Sequence, residues 1–234
     1  GLTYAFLYMG RYNINVAKTI TDPETGLALM TKADLGLITV IGTTTYAVAF
    51  LINGPLADRF GGRKTILAAA LGSSFANFGM GWVLDSSYEG SLVGPFGFLY
   101  ALNMYFQSFG AVAIVKVNAP WFHVRERGVF GAIFGILISL GVYFAYDWNG
   151  LLLNFFPGQA YLVFFVPAGL LAIFWILNFI GVRNRPSHAG FEDFHTGDAT
   201  AGDDSPADPP YVVFKRMLTN PIILTIAGVE FCSG

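Results

Sequence analysis

Six stretches of this chain stay apolar for close to the length needed to cross a lipid bilayer, and that repeat restricts its fold more than any other feature. A hydrocarbon core is about 30 Å thick, so a helix needs about 20 mostly apolar residues to span it. The runs cover Leu2 to Ala17, Leu35 to Asn53, Thr65 to Leu84, Pro95 to Val117, Gly128 to Tyr146 and Ala160 to Val182. A seventh opens near Pro221 and is cut at Gly234. Lipid offers the backbone no hydrogen-bond partners, so runs of this length read as helices. Only 12% of the 234 residues are charged, against about 25% in soluble domains, too few to clothe a soluble surface. The expected fold class is an all-α membrane protein. Its domains are a bundle over residues 1–182, a flexible linker over 183–219 and the start of a further helix over 220–234. The chain opens inside an apolar run without Met, and reads as part of a longer protein.

Basic residues set the orientation. Arg59, Arg63 and Lys64 lie between the second and third runs, Arg125 and Arg127 between the fourth and fifth, and Arg183, Arg185, Lys215 and Arg216 after the sixth. The positive-inside rule puts loops 54–64, 123–128 and 183–219 in the cytoplasm. Lys18 and Lys32 fall on the other side, beside Asp22, Glu24 and Asp34. Thr31 and Asp34 have capping-box spacing at the start of the second run, and Pro95 suits a first helical turn. Residues 183–210 hold Asp198, Asp203, Asp204 and Asp208 among Pro, Gly and Ala, too little apolar surface to order itself. Tyr211 to Leu218 reads as a short amphipathic helix at the membrane surface. A net charge of -2 gives no reason to expect a nucleic-acid partner. One cysteine, Cys232, and the scattered His123, His188 and His195 offer no metal-ligand cluster.

The turn between the second and third runs reads Gly54-Pro-Leu-Ala-Asp58-Arg59-Phe-Gly61-Gly62-Arg63-Lys64. Glycines there allow a tight turn and close helix approach. Asp58 is placed to meet a neighbouring helix end or basic residues. A plain positive-inside loop would account for the charges alone. Spacing, placement and helix count together resemble the signature loop of the major facilitator superfamily. That resemblance implies an amino-terminal six-helix bundle plus the start of helix seven. It makes Gly54, Asp58, Arg59, Gly61, Arg63 and Lys64 a conformational-switch loop. It also implies an absent carboxyl-terminal half, related by a pseudo-two-fold axis, with substrate bound between the halves at mid-membrane.

A narrower likeness rests on several pieces in order. They are Tyr4, Tyr8, Arg11 and Asn13; Thr31, Asp34, Leu35 and Gly36; Tyr46; Phe106-Gln107-Ser108-Phe109-Gly110; Trp121 with Glu126-Arg127-Gly128; and Phe214 to Asn220. These resemble the organophosphate:phosphate antiporter family. The resemblance implies a monomer in a cell (inner) membrane that exchanges a small organic anion, a phosphate ester, for inorganic phosphate by alternating access. No cofactor is expected, and a partner Arg is expected in helix seven. The sequence departs from the family at Tyr12, Phe50 and Ile138, where members carry Lys, Lys and His. A smaller or less charged anion, or another coupling ion, stays open.

Arg11 is the strongest candidate. A guanidinium near the bilayer centre costs about 3 kcal/mol on insertion scales, so it persists where it faces a polar cavity. Its planar fork suits bidentate capture of phosphate or carboxylate. Tyr4 and Tyr8 lie seven and three residues before it, on the same helix face. Tyr46 and Gln107 complete the expected substrate-binding set. The structural alternative pairs Arg11 with Glu230 or with carbonyls, or lets it snorkel. Lys116 reads as snorkelling; Gln107 and Asn103, four apart, either line the cavity or tie helices together; Gly131 and Gly135 have helix-packing spacing. Three function classes remain: an antiporter, a transporter-like receptor that senses a sugar phosphate without moving it, and a membrane enzyme. The last lacks any catalytic constellation in this sequence.

Overall fold

The computed structural model describes residues 1–16, 30–86, 90–197 and 210–233. Lys18, Asp22, Glu24 and the linker acids Asp198, Asp203, Asp204 and Asp208 lie outside those residues, as do the side chains of Phe214, Glu230 and Cys232. Two compact units result, Gly1–Asp198 and Ala199–Gly234.

The first unit holds α1 (Leu2–Val16), α2 (Lys32–Phe60), α3 (Gly62–Asp85), α4 (Val93–Asn118), α5 (Arg127–Tyr143), α6 (Asn149–Phe155) and α7 (Leu162–Gly181). The second holds α8 (Pro210–Thr219) and α9 (Pro221–Ser233). A π-turn over Phe144–Trp148 joins α5 to α6, making one rod from Arg127 to Phe155. The sequence reading ended this helix at Tyr146; the π-turn accommodates Asp147 within it, and Asn149 donates back to the Ala145 carbonyl at 2.9 Å. Among the described residues five rods are long and apolar enough to cross a membrane: α2, α3, α4, the α5–α6 rod and α7. The 15-residue α1 packs against α3, α4, α5 and α7 at the centre of the bundle. Every expected run is a helix, and the second unit's two helices start near the expected places.

Local chemistry explains the ends. Thr31 Oγ1 accepts from the Asp34 amide at 3.2 Å while the Thr31 amide donates to Asp34 Oδ2 at 2.9 Å, a reciprocal cap that stabilises by about 1 kcal/mol. From there α2 runs 29 residues, about 43 Å at 1.5 Å per residue. It stops at Gly61, whose φ of 79° favours glycine, and α3 begins one residue later. A side chain at Gly62 would strike the Val117 backbone of α4. Those two glycines explain the Gly-Gly pair of the turn.

Two apolar clusters fill the bundle. One, at the end where α2 begins, gathers Ile14, Leu35, Ile38, Met80, Phe96 and Phe164. The other, nearer the basic end, gathers Phe6, Leu7, Met9, Ile66, Phe109 and Leu171. Helices approach closely through glycine: Gly72 of α3 lies against the Phe106 ring of α4, and Gly141 of α5 against the Ala5 carbonyl of α1. Gly131 and Gly135, expected at a helix contact, have nothing within 4 Å among the described residues, because α5 meets α1 at Gly141 instead.

Residues 183–197, read from sequence as unstructured linker, are tied to the basic end of the bundle. Trp121 Nε1 donates to the Arg183 carbonyl at 3.2 Å, the Arg63 amide to Asn184 Oδ1 at 2.8 Å and the Val124 amide to the Thr196 carbonyl at 2.8 Å. Within this strap the Ser187 amide and hydroxyl both donate to the Asp193 carboxylate at 2.9 Å, which holds that carboxyl below the usual aspartate range.

Gly72→Leu should force α3 from α4 and cost about 1–3 kcal/mol, read as a clear fall in the unfolding midpoint of the full-length protein in detergent. Gly131→Ala should leave that midpoint unchanged.

Candidate functional site

The α1 face carrying Tyr4, Tyr8 and Arg11 turns toward α2 and α4. Tyr46 stands at the midpoint of α2, and Gln107 lies near the middle of α4. Arg11 reaches both, which sets the guanidinium level with the centre of the long helices. Its carbon Cζ lies 4.8 Å from the Tyr8 ring centroid and 4.6 Å from that of Tyr46. Each such cation–π contact contributes about 0.5–2 kcal/mol, more as water is excluded. Nε donates to Gln107 Oε1 at 3.0 Å. Nη2 is buried with no hydrogen-bond partner among the described residues. The Arg11 carbonyl accepts from the Tyr100 hydroxyl at 3.2 Å, and Gly42 leaves room for the Tyr100 ring.

A buried guanidinium nitrogen without an acceptor is costly in a helical core. No carboxylate pairs with Arg11 among the described residues. The alternative partner, Glu230, has no described side chain.

All five sequence-predicted substrate residues converge, but not in equal roles. Tyr8 and Tyr46 face the guanidinium. Tyr4 is buried, packed edge-on against Tyr8 at 5.1 Å. Gln107 spends both protons of Nε2 inside the bundle, on the Leu7 carbonyl at 2.8 Å and on Asn103 Oδ1 at 3.3 Å. The departures from the family pattern also find a place. Tyr12 stacks on Tyr8 at 5.9 Å and Phe50 stacks on Tyr46 at 6.0 Å, so each replacement thickens one of the two aromatic walls beside Arg11. Ile138 packs in the apolar cluster near the basic end.

The signature loop lies apart from this site. Asp58 makes an ion pair with Lys116 at the end of α4, so Lys116 has a carboxylate partner where the sequence suggested snorkelling. The Asp58 side chain is 68% exposed, and solvent screening leaves such a pair about 0–1 kcal/mol. Arg63 donates to the Phe179 carbonyl at 2.6 Å and lies 5.3 Å from the Phe179 ring. Arg59 and Lys64 are exposed, and a side chain at Gly54 would meet nothing within 4 Å among the described residues.

Two features go beyond the sequence reading, which had Asn103 either lining the cavity or tying helices together. Asn13, Asn77 and Asn103 are fully buried and joined: Asn13 Nδ2 donates to Asn77 Oδ1 at 2.7 Å, and Asn77 Nδ2 to Asn103 Oδ1 at 3.3 Å. Three amides in apolar runs were the available signal. The second is Asp147, a carboxylate inside a membrane-length rod. The neighbouring Tyr146 hydroxyl accepts from Asn15, one turn beyond Arg11, at 3.1 Å.

Together these features define an integral membrane protein, an all-helical bundle that holds an under-paired cation midway along its long helices. The chain belongs to the Major Facilitator Superfamily, whose description matches residues 1–234. It is 26% identical over 141 residues to "Membrane sensor protein UhpC" of Salmonella typhimurium, covering 60% of this chain and 29% of that protein. To the Escherichia coli protein of the same name it is 24% identical over 141 residues, 60% of this chain and 30% of the relative. To "Putative glycerol-3-phosphate transporter 3" of Arabidopsis thaliana it is 29% identical over 159 residues, 62% of this chain and 28% of the relative. The matched stretches therefore span under a third of these relatives' own length.

Replacing Asn77 with Leu removes one hydrogen bond from Asn13, which keeps the Val163 carbonyl, and one from Asn103, which keeps Gln107. At about 0.5–1.5 kcal/mol for each lost hydrogen bond, the full-length protein should lose a few degrees of unfolding midpoint. An unchanged midpoint would mean the amide chain does not hold the bundle.

Proposed function

We infer that this protein is the amino-terminal part of a secondary transporter that binds an organic anion at Arg11, a phosphate ester taken in exchange for inorganic phosphate. The carrying observation is the Arg11 guanidinium, held by Gln107, Tyr8 and Tyr46, with Nη2 unpaired at mid-depth. A phosphate oxygen accepts two parallel N–H bonds from such a group. Likeness to a protein named as a glycerol-3-phosphate transporter supports the phosphate ester. Tyr8 and Tyr46 line the bound anion, Tyr4 backs Tyr8, and the remaining wall with a second cation comes from the carboxyl-terminal half. The basic end faces the cytoplasm of a cell (inner) membrane. The loop from Gly54 to Lys64, with its Asp58–Lys116 pair, is the switch that reforms as the halves rock. The protein acts as a monomer without a cofactor, and by transport, not catalysis.

A second reading, a receptor that binds the same anion without moving it, draws support from the two relatives named as membrane sensors. Both readings share the site.

In proteoliposomes of the full-length protein, counterflow of labelled phosphate against glycerol 3-phosphate should be measurable. Arg11→Lys should reduce it at least tenfold, since a point charge replaces a fork. Binding without counterflow favours the receptor; undiminished counterflow in Arg11→Lys removes Arg11 from the pathway. Phe50→Lys adds a cation beside the Tyr46 wall and should tighten phosphate binding about fivefold. Weaker or unchanged binding would place the anion away from that wall.

A further inference from the structure

Asn103 has no part in the anion reading, yet both ends of its amide are committed. It is fully buried on α4, one turn before Gln107. Nδ2 donates at 2.8 Å to the carbonyl of Gly10, the residue before Arg11. Oδ1 accepts from Gln107 Nε2 and from Asn77 Nδ2, each at 3.3 Å. An amide chain thus crosses α1, α3 and α4 and ends at the guanidinium.

Its consequence is orientational. A carboxamide has a donor end and an acceptor end, and either could face Arg11. With Nε2 directed at Leu7 O and Asn103 Oδ1, Gln107 turns Oε1 to Arg11. The reversed amide would set donor against donor at Arg11 and acceptor against acceptor at Leu7. Gln107 Oε1 then occupies Nε, one limb of the guanidinium's side-on fork. The pair left for a ligand is the end-on one, Nη1 with Nη2, of which Nη2 is buried and unpaired.

We propose that Asn103 is a positioning residue: acting through Gln107, it fixes Arg11 for end-on capture of the oxyanion. The proposal rests on Arg11 being the anion site. It also moves Gln107 from ligand to support, because its amide protons are already used.

Calorimetric binding of inorganic phosphate to the full-length protein tests it. Asn103→Leu should weaken binding about tenfold, the scale of one lost hydrogen bond to a charged group. Gln107→Leu should do the same, and the double variant should be no weaker than Gln107→Leu alone, since both act through one bond. Effects that multiply, or an unchanged affinity in Asn103→Leu with only a lower unfolding midpoint, overturn the proposal. Should Asn103→Leu fail to fold, Asn103→Ser takes its place: it is too short to join Gly10 to Gln107, and the same outcomes apply. A second arm needs no anion. By ¹⁵N solid-state NMR, the Arg11 Nε proton should exchange at least tenfold faster in Asn103→Leu than in the wild type. Unchanged exchange overturns the proposal. Faster exchange in a protein that never binds phosphate supports it and overturns the phosphate reading beneath it.

Discussion

A permanent positive charge at the depth of the hydrocarbon core must be answered from within the protein. Here the answer is incomplete by design of the bundle: Gln107 takes Nε, Tyr8 and Tyr46 cover the faces, and Nη2 is left over. Aromatic faces and one neutral acceptor stabilise the cation without neutralising it. A carboxylate there would have closed the site to anions. The net positive charge that remains is the property on which an anion pathway depends.

The surrounding architecture follows from holding that group still. Tyr100 and Asn103 grip the α1 backbone at Arg11 and Gly10, and Gly141 and Gly42 bring α5 and α2 close enough to enclose it. Tyr12 and Phe50 stand where the resemblance expected lysines, and both add rings to the walls. The described part of the site is accordingly less positive and more aromatic than the family pattern. On the proposed anion reading, such walls suit a ligand whose charge is concentrated in one head group.

Much of this was legible in the sequence because bilayer physics is so restrictive. Helix length, apolar runs and the Thr31–Asp34 cap needed no tertiary information, and a lone Arg11 among apolar residues marked the candidate site. What was not legible depended on partners far along the chain. The strap at residues 183–197 is polar in composition and reads as disordered; Trp121, Arg63 and Val124, distant in sequence, hold it. Asp147 looked like a loop residue because a period of 3.6 does not foresee a π-turn. For Gln107 the sequence left lining the cavity and tying helices together both open, because composition cannot say which end of an amide is already spent.

A structure of the full-length protein with inorganic phosphate bound tests the central claim most directly. The account predicts phosphate oxygens within 3 Å or so of the Arg11 Nη atoms, between the Tyr8 and Tyr46 rings, with Nε still on Gln107. Arg11 locked to a carboxylate from the remainder of the chain, with the phosphate elsewhere, would contradict it.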